Sequence, residues 1–294
     1  MYRMHQGFRA NGIESKILAL RTSSDSDSII QHQWATSLTR RIRRRIRHEK
    51  IKYDFNKYAD TRPDGLEPFS DDRAIHRIKN EIESVNPDII NLHWVAGFVD
   101  YQHFFGDCIG DTPVVWRLSD MNPFTGGCHY DRGCGKYKSQ CGACPQLGSD
   151  NPKDLSRSVW ERKMSAFQSI PARQLHFVGQ STWIKRQVQS SPLTARFDAS
   201  VIPNGLNTDL FKPRTTKGLQ TALEIPADHR IILFVADSVT NYRKGFDLLA
   251  EALHSLDAEQ VTLLSIGGNT PELKTECPHH HLGRIASDEL LSVF

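Results

Sequence analysis

Apolar and polar positions alternate along this chain in two periods. Short apolar runs that suit buried strands stand at residues 17–20, 88–93, 112–118, 174–178, 199–202, 230–236 and 261–266. Between them lie stretches with helical spacing: 1–12, closed by Asn11-Gly12; 30–48; 72–84, stopped by Asn86-Pro87; 155–168; one opened by Ser181 as N-cap; 244–256; and 286–294, with Asp288 and Glu289 in its first turn. Residues 23–28 form a polar Ser/Asp loop, and a long Cys- and Gly-rich loop covers 119–151. Strands alternating with helices predict an α/β fold with parallel sheets. The Pro/Asn/Gly/Thr/Lys-containing segment 203–220 reads as a linker between a larger domain, 1–202, and a smaller one, 221–294. The first domain opens on a helix where an α/β domain normally opens on a strand. The second ends in mid-helix with few strands. The expectation is that sequence is missing at both ends.

Composition narrows the class. Apolar residues make up 38% and charged residues 24%, and no apolar run is long enough to span a bilayer. The first residues carry no apolar segment of the secretory kind. The net charge of +3 conceals a local imbalance: residues 40–50 alone carry +6, leaving −3 for the remainder. Such a patch points to a local anionic partner.

Three clusters carry candidate chemistry. Cys128, Cys134, Cys141 and Cys144 follow the spacing C-x5-C-x6-C-x2-C, with Gly133, Gly135 and Gly142 supplying turns. The closing C-x2-C places two sulfurs on one side of a short turn. Four thiolates suit a closed, tetrahedral, structural Zn²⁺ site, and His129 could replace one of them. Two disulfides, four unlinked thiols or an iron–sulfur cluster are the alternatives. Next, Arg40, Arg41, Arg43, Arg44, Arg45 and Arg47 surround an every-fourth apolar stripe of Trp34, Leu38, Ile42 and Ile46. This pattern suits the surface of an anionic membrane. It equally suits a stripe packed on its own domain with solvated arginines, while nucleic acid is the least favoured partner because no recognised binding module accompanies it. Finally, Arg243, Lys244 and Gly245 stand where a strand–loop–helix unit begins its helix, a natural place for a diphosphate.

The runs VIPNGLNTDLFKP (201–213) and RKGFDLLAEAL (243–253) resemble signatures of the family-4 glycosyltransferases. The stretches NLHWVAGFVD from Asn91, WRLSDMNPFTGGCHY (116–130) and CGACPQL (141–147) resemble a narrower branch associated with exopolysaccharide, colanic-acid-like and O-antigen synthesis. The resemblance implies a GT-B fold: two Rossmann-like domains, the C-terminal one binding a nucleotide sugar and the N-terminal one a glycan or lipid-linked acceptor. It implies retaining hexosyl transfer, in the cytoplasm or peripherally at the inner face of the membrane. Lys244, with Arg243 beside it, matches the donor-diphosphate lysine, and Asn204-Gly205 the interdomain turn. The branch's Leu-His-Asp is Leu118-Ser119-Asp120 here, which leaves Asp120 and His93 as catalytic candidates. Gly205-Leu206-Asn207 replaces the common Gly-Ile-Asp. The family's glycine-rich loop would precede residue 1, and its E-x7-E pair would follow Phe294. The expectation is therefore a fragment with little or no activity. The alternative is a non-catalytic, zinc-bearing protein that binds a membrane or a partner.

Overall fold

The period-two pattern of Val114–Arg117 puts Val114 and Trp116 on one face of a strand, each only 1% exposed. This strand is central to the larger sheet of the computed structural model, which describes all residues except 24–25, 35–36, 216, 255–259 and 273–276. The chain divides into two units, Met1–Asn204 and Gly205–Phe294.

In the first unit β1 (Ile17–Ala19) and β2 (Ile29–Gln31) form a parallel pair. A four-stranded parallel sheet runs β3 (Ile90–Leu92), β4 (Val114–Arg117), β5 (Leu175–Gly179), β6 (Asp198–Val201). Helix α1 (Tyr2–Ala10) precedes them, followed by α2 (Leu38–Asn56) and α3 (Lys79–Val85). A helical turn, α4 (Tyr101–His103), runs on into a wider turn through Cys108. Helix α5 (Leu155–Gln168) connects β4 to β5, and α6 (Thr182–Ser190) connects β5 to β6. Both begin with a side-chain cap: Asp154 accepts from the Arg157 N–H at 3.1 Å, and Ser181 from the Ile184 N–H at 3.4 Å. The core is aromatic. Trp116 stacks on Phe177 at 5.9 Å between ring centres; Tyr101 meets Trp116 edge-on, Phe167 of α5 meets Phe177 edge-on, and Phe105 packs tilted against Trp116 and Phe167.

Two helical expectations are corrected. Residues 30–48 do not form one helix: Ile29-Ile30 pairs with Ile17-Leu18 in β2, and helix begins only at Leu38. The β-branched residues satisfy their backbone groups across a ladder, which tertiary pairing favours over the local period. Trp34 therefore stands outside the helix that carries Leu38, Ile42 and Ile46. The helix expected over 72–84 is shortened to Lys79–Val85. Asp71, Asp72 and Arg73 are held instead by charge: Arg162 of α5 reaches Asp71 at 2.8 Å and Asp72 at 2.7 Å, and Arg73 reaches Asp54 at 3.0 Å. Asn86 ends α3 in the left-handed region, φ 47°.

In the second unit β7 (Arg230–Ser238), β8 (Val261–Gly268) and β9 (His279–His281) form a parallel sheet in that order. Strand β8 is paired on both edges and almost wholly buried, which suits its mainly apolar sequence, interrupted by the buried Thr262 and Ser265. Helices α7 (Lys217–Ala222), α8 (Phe246–His254) and α9 (Asp288–Leu291) complete the described elements. Val239, Phe246, Leu253, Leu263 and Cys277 form the core. Helix α7 lies partly inside the segment read as linker. Strand β9 carries three histidines rather than an apolar run, and Ser265 of β8 meets His279 Nε2 at 2.8 Å and His281 Nδ1 at 2.9 Å. Helix α8 starts two residues later than expected. Leu256 at its expected end, Ser24 and Asp25 of the polar loop, and Ala35 and Thr36 of the 30–48 stretch lie outside the described residues. Among those described, no helix is long and apolar enough to cross a membrane.

Candidate functional site

Parallel strands deliver their following loops to one end of a sheet, and ligand sites in α/β units form there. In the first unit β3 leads into His93-Trp94 and β4 into Leu118-Ser119-Asp120. Together with Val95, Tyr101, Trp116 and Asn122 these loops line one pocket. His93 and Asp120 thus share a pocket, as does Ser119. The Asp120 carboxylate is fully engaged: Oδ1 accepts from the Asn122 N–H at 2.9 Å, and Oδ2 lies 2.6 Å from His129 Nδ1. The other ring nitrogen of His129 meets Ser70 Oγ at 2.8 Å. The short Asp120 contact assigns the Nδ1 proton to that bond, so the 3.4 Å approach of Trp94 Nε1 to the same nitrogen is a secondary polar contact. His129 is only 4% exposed and both its nitrogens are occupied, so it orients Asp120 from behind the pocket.

His93 stands differently. It is half-buried, and burial pulls its imidazole down to about 4, helped by the chain's amino terminus and by Arg117. At neutral pH it is uncharged and suited to hydrogen bonding with a hydroxyl. Trp94 beside it is 59% exposed, an open aromatic face next to polar groups. Arg117 donates to Ser119 Oγ at 2.8 Å and to Gln180 Oε1 at 3.0 Å, and also bonds the Asn204 amide oxygen. Asn204 in turn donates to Gln180 at 3.0 Å. The turn before Gly205 is thereby tied to the end of β4.

One residue of the site was not among the sequence candidates. Lys163 of α5 is 0% exposed. Its ammonium donates to the Thr125 carbonyl at 3.2 Å and to the Asn122 carbonyl, with Asn122 Oδ1 at 3.4 Å. It fixes the loop that follows Asp120. Its position four residues after Val159 and four before Phe167 places it on the buried face of α5, a lysine among apolar side chains.

The four cysteines of the long loop come together. Cys128, Cys134, Cys141 and Cys144 line one pocket with Phe69 and Tyr137, and no disulfide joins any of them. The turn depends on Gly142, whose φ is 144° and whose Cβ would stand 2.4 Å from the Pro152 carbonyl oxygen. Burial pushes the Cys141 thiol up to about 11 and raises Cys128 and Cys144 as well. Among the described residues no three His, Cys, Asp or Glu side chains form a metal-holding group. His129 is committed to Asp120 and Ser70 instead.

In the second unit β7 ends at Ser238. A tight turn, Tyr242–Lys244, then leads through Gly245 at φ 74° into α8. Arg243 and Lys244 are both exposed there, at the carboxyl end of a strand and the start of a helix. Of the six arginines on α2, Arg47 donates to the Ala74 carbonyl at 2.8 Å and pairs with Asp100, so it faces its own unit. Arg44 sits 4.4 Å above the Trp34 ring, and Arg40, Arg41, Arg43 and Arg45 are exposed.

The chain is an α/β protein built from parallel-strand sheets. No protein-family model matches it, and no curated protein matches it.

Proposed function

We propose that this chain is a glycosyltransferase of the GT-B kind, whose second unit binds a nucleotide-sugar donor and whose first unit binds a glycan or lipid-linked acceptor. The observation that carries the reading is Lys244, with Arg243, at the carboxyl end of β7 and the start of α8. Free N–H groups at a helix start and an added ammonium attract a diphosphate, and the same charge stabilises a departing nucleoside diphosphate. The pocket of His93, Trp94 and Asp120 supports the acceptor half: a neutral imidazole and carboxylate-anchored loop for hydroxyl groups, an open indole for a sugar face. Calorimetry with UDP and GDP tests the donor half. Saturable binding is expected, weakened about tenfold in Lys244→Ala. Binding by neither nucleotide, or binding that Lys244→Ala leaves unchanged, would overturn the assignment.

A second reading, a non-catalytic zinc-bearing protein, is favoured by the convergence of four unlinked cysteines on one pocket. Nucleoside diphosphate binding separates it from the first. The zinc site itself is compatible with both. It would be structural, with all four positions taken by sulfur. Elemental analysis is expected to give one zinc per chain, lost in Cys141→Ser/Cys144→Ser. Metal-free protein with full secondary structure argues for four plain thiols.

A further inference from the structure

The sequence left open whether the apolar stripe of the arginine helix packs on its own unit. The structure answers this. Helix α2 has no buried residue along its nineteen. Leu38, Ile42, Ile46 and Tyr53 are 69%, 50%, 64% and 65% exposed. At about 100° per residue these four project from one side of the helix. Arg47, Ile51 and Phe55 project from the other, where Arg47 holds Ala74 and Asp100 and Phe55 packs near Phe69 and Leu155. The helix is thus fastened by one face and presents its aliphatic stripe outward, the reverse of the usual arrangement in a water-soluble domain.

Charge flanks the stripe on both sides. Arg41, Arg45 and Lys52 lie along one edge, Arg43 and Lys50 along the other, and all are exposed. Glu49 is the only acid beside them, since Asp54, the other acid of α2, pairs with Arg73 and Lys57. We propose that this outward face of α2 lies on an anionic lipid bilayer, its aliphatic side chains at the acyl boundary and its arginines among the headgroups. The pairing of features decides the occupant. A nucleic-acid backbone would use the cations but leave Leu38, Ile42 and Ile46 in water. A second copy of the same face would set arginine against arginine. Only a surface with negative headgroups above an apolar layer satisfies both parts. The inference does not rest on sugar transfer, because vesicle binding needs no nucleotide.

The test is sedimentation of the full chain with phosphatidylcholine vesicles, with and without about 30% phosphatidylglycerol, at about 0.1 M salt. Binding is expected with the anionic vesicles alone. The triple variant Leu38→Ser/Ile42→Ser/Ile46→Ser and the double variant Arg41→Glu/Arg45→Glu should each weaken it about tenfold or more. These side chains point into solvent, so circular dichroism and melting should match the parent. Absence of binding to anionic vesicles, or binding that the Ser variant leaves intact, overturns the proposal. So does salt-sensitive binding to RNA or DNA without vesicle binding, or a dimer that the Ser variant dissolves.

Discussion

Lys163→Met should lower stability by about 2–4 kcal/mol, read as a fall in the urea midpoint at constant slope. Met fills the same volume, so the cost is not a cavity. What is lost is the donor to two buried carbonyls, Asn122 and Thr125, in the loop that follows Asp120. The Asn122 carbonyl keeps the Thr125 N–H at 3.3 Å, but the Thr125 carbonyl cannot be substituted away and is left buried without the ammonium that met it at 3.2 Å. That distinguishes this change from the apolar replacement of a whole ion pair, which is often neutral. The pH dependence has a definite sign. Burial pulls the Lys163 ammonium down to about 8, against partial support from Asp72 and Cys128. The unfolded chain holds this proton up to the ordinary lysine range, so between these two values unfolding takes up a proton. Parental stability should therefore gain from this group as pH rises above about 8, and Lys163→Met should lack that gain. Equal midpoints at neutral pH would refute a structural role for the buried ammonium.

Arg162→Ala should be the more damaging change, about 3–5 kcal/mol at neutral pH. Arg162 bridges Asp71 and Asp72, whose side chains are 3% and 1% exposed. Without it two adjacent buried carboxyl groups keep Arg73, which serves Asp71, and the buried Lys163 ammonium, which interacts with both through space. Burial pushes Asp72 up to about 7, with Asp71 beside it adding to the rise. Because its folded-state value is raised, the folded chain binds a proton that the unfolded chain releases between about 4 and about 7. Stability from this group is present at the acid end of that window and lost as pH rises through it. Removing Arg162 takes away the cation that lowers Asp72, so the deficit should shrink when pH is brought from 7 toward 5. A deficit that is flat across this range, or smaller than about 1 kcal/mol, would mean that Arg73 and Lys163 neutralise the pair without Arg162.

The parallel α/β organisation was legible because strand runs such as 112–118 and 261–266 are bounded by loops and separated by helix-length segments. The cap at Ser181 and the stop at Asn86 were local signals, decided within a few residues of chain. So were the turns of the cysteine loop. Long-range partners were invisible. Nothing near Ile29 announces that it pairs with Ile17, nothing in His279–His281 looks like a strand, and Lys163 owes its burial to carbonyls about forty residues upstream.

The same division holds for the site. The sequence by itself nominated Lys244, the four cysteines and the arginine helix, because residue type and spacing express chemistry directly, while His93 and Asp120 came only from the resemblance to a family. Only the tertiary structure decided what surrounds each. It put His93 and Asp120 in one pocket and bound His129 to Asp120 rather than to the cysteines. It also turned Arg47 inward while leaving Ile42 and Ile46 outward. An amphipathic pattern specifies that a helix has two faces. Which face meets the domain depends on where partners such as Asp100 lie in space, and that is a property of the folded chain.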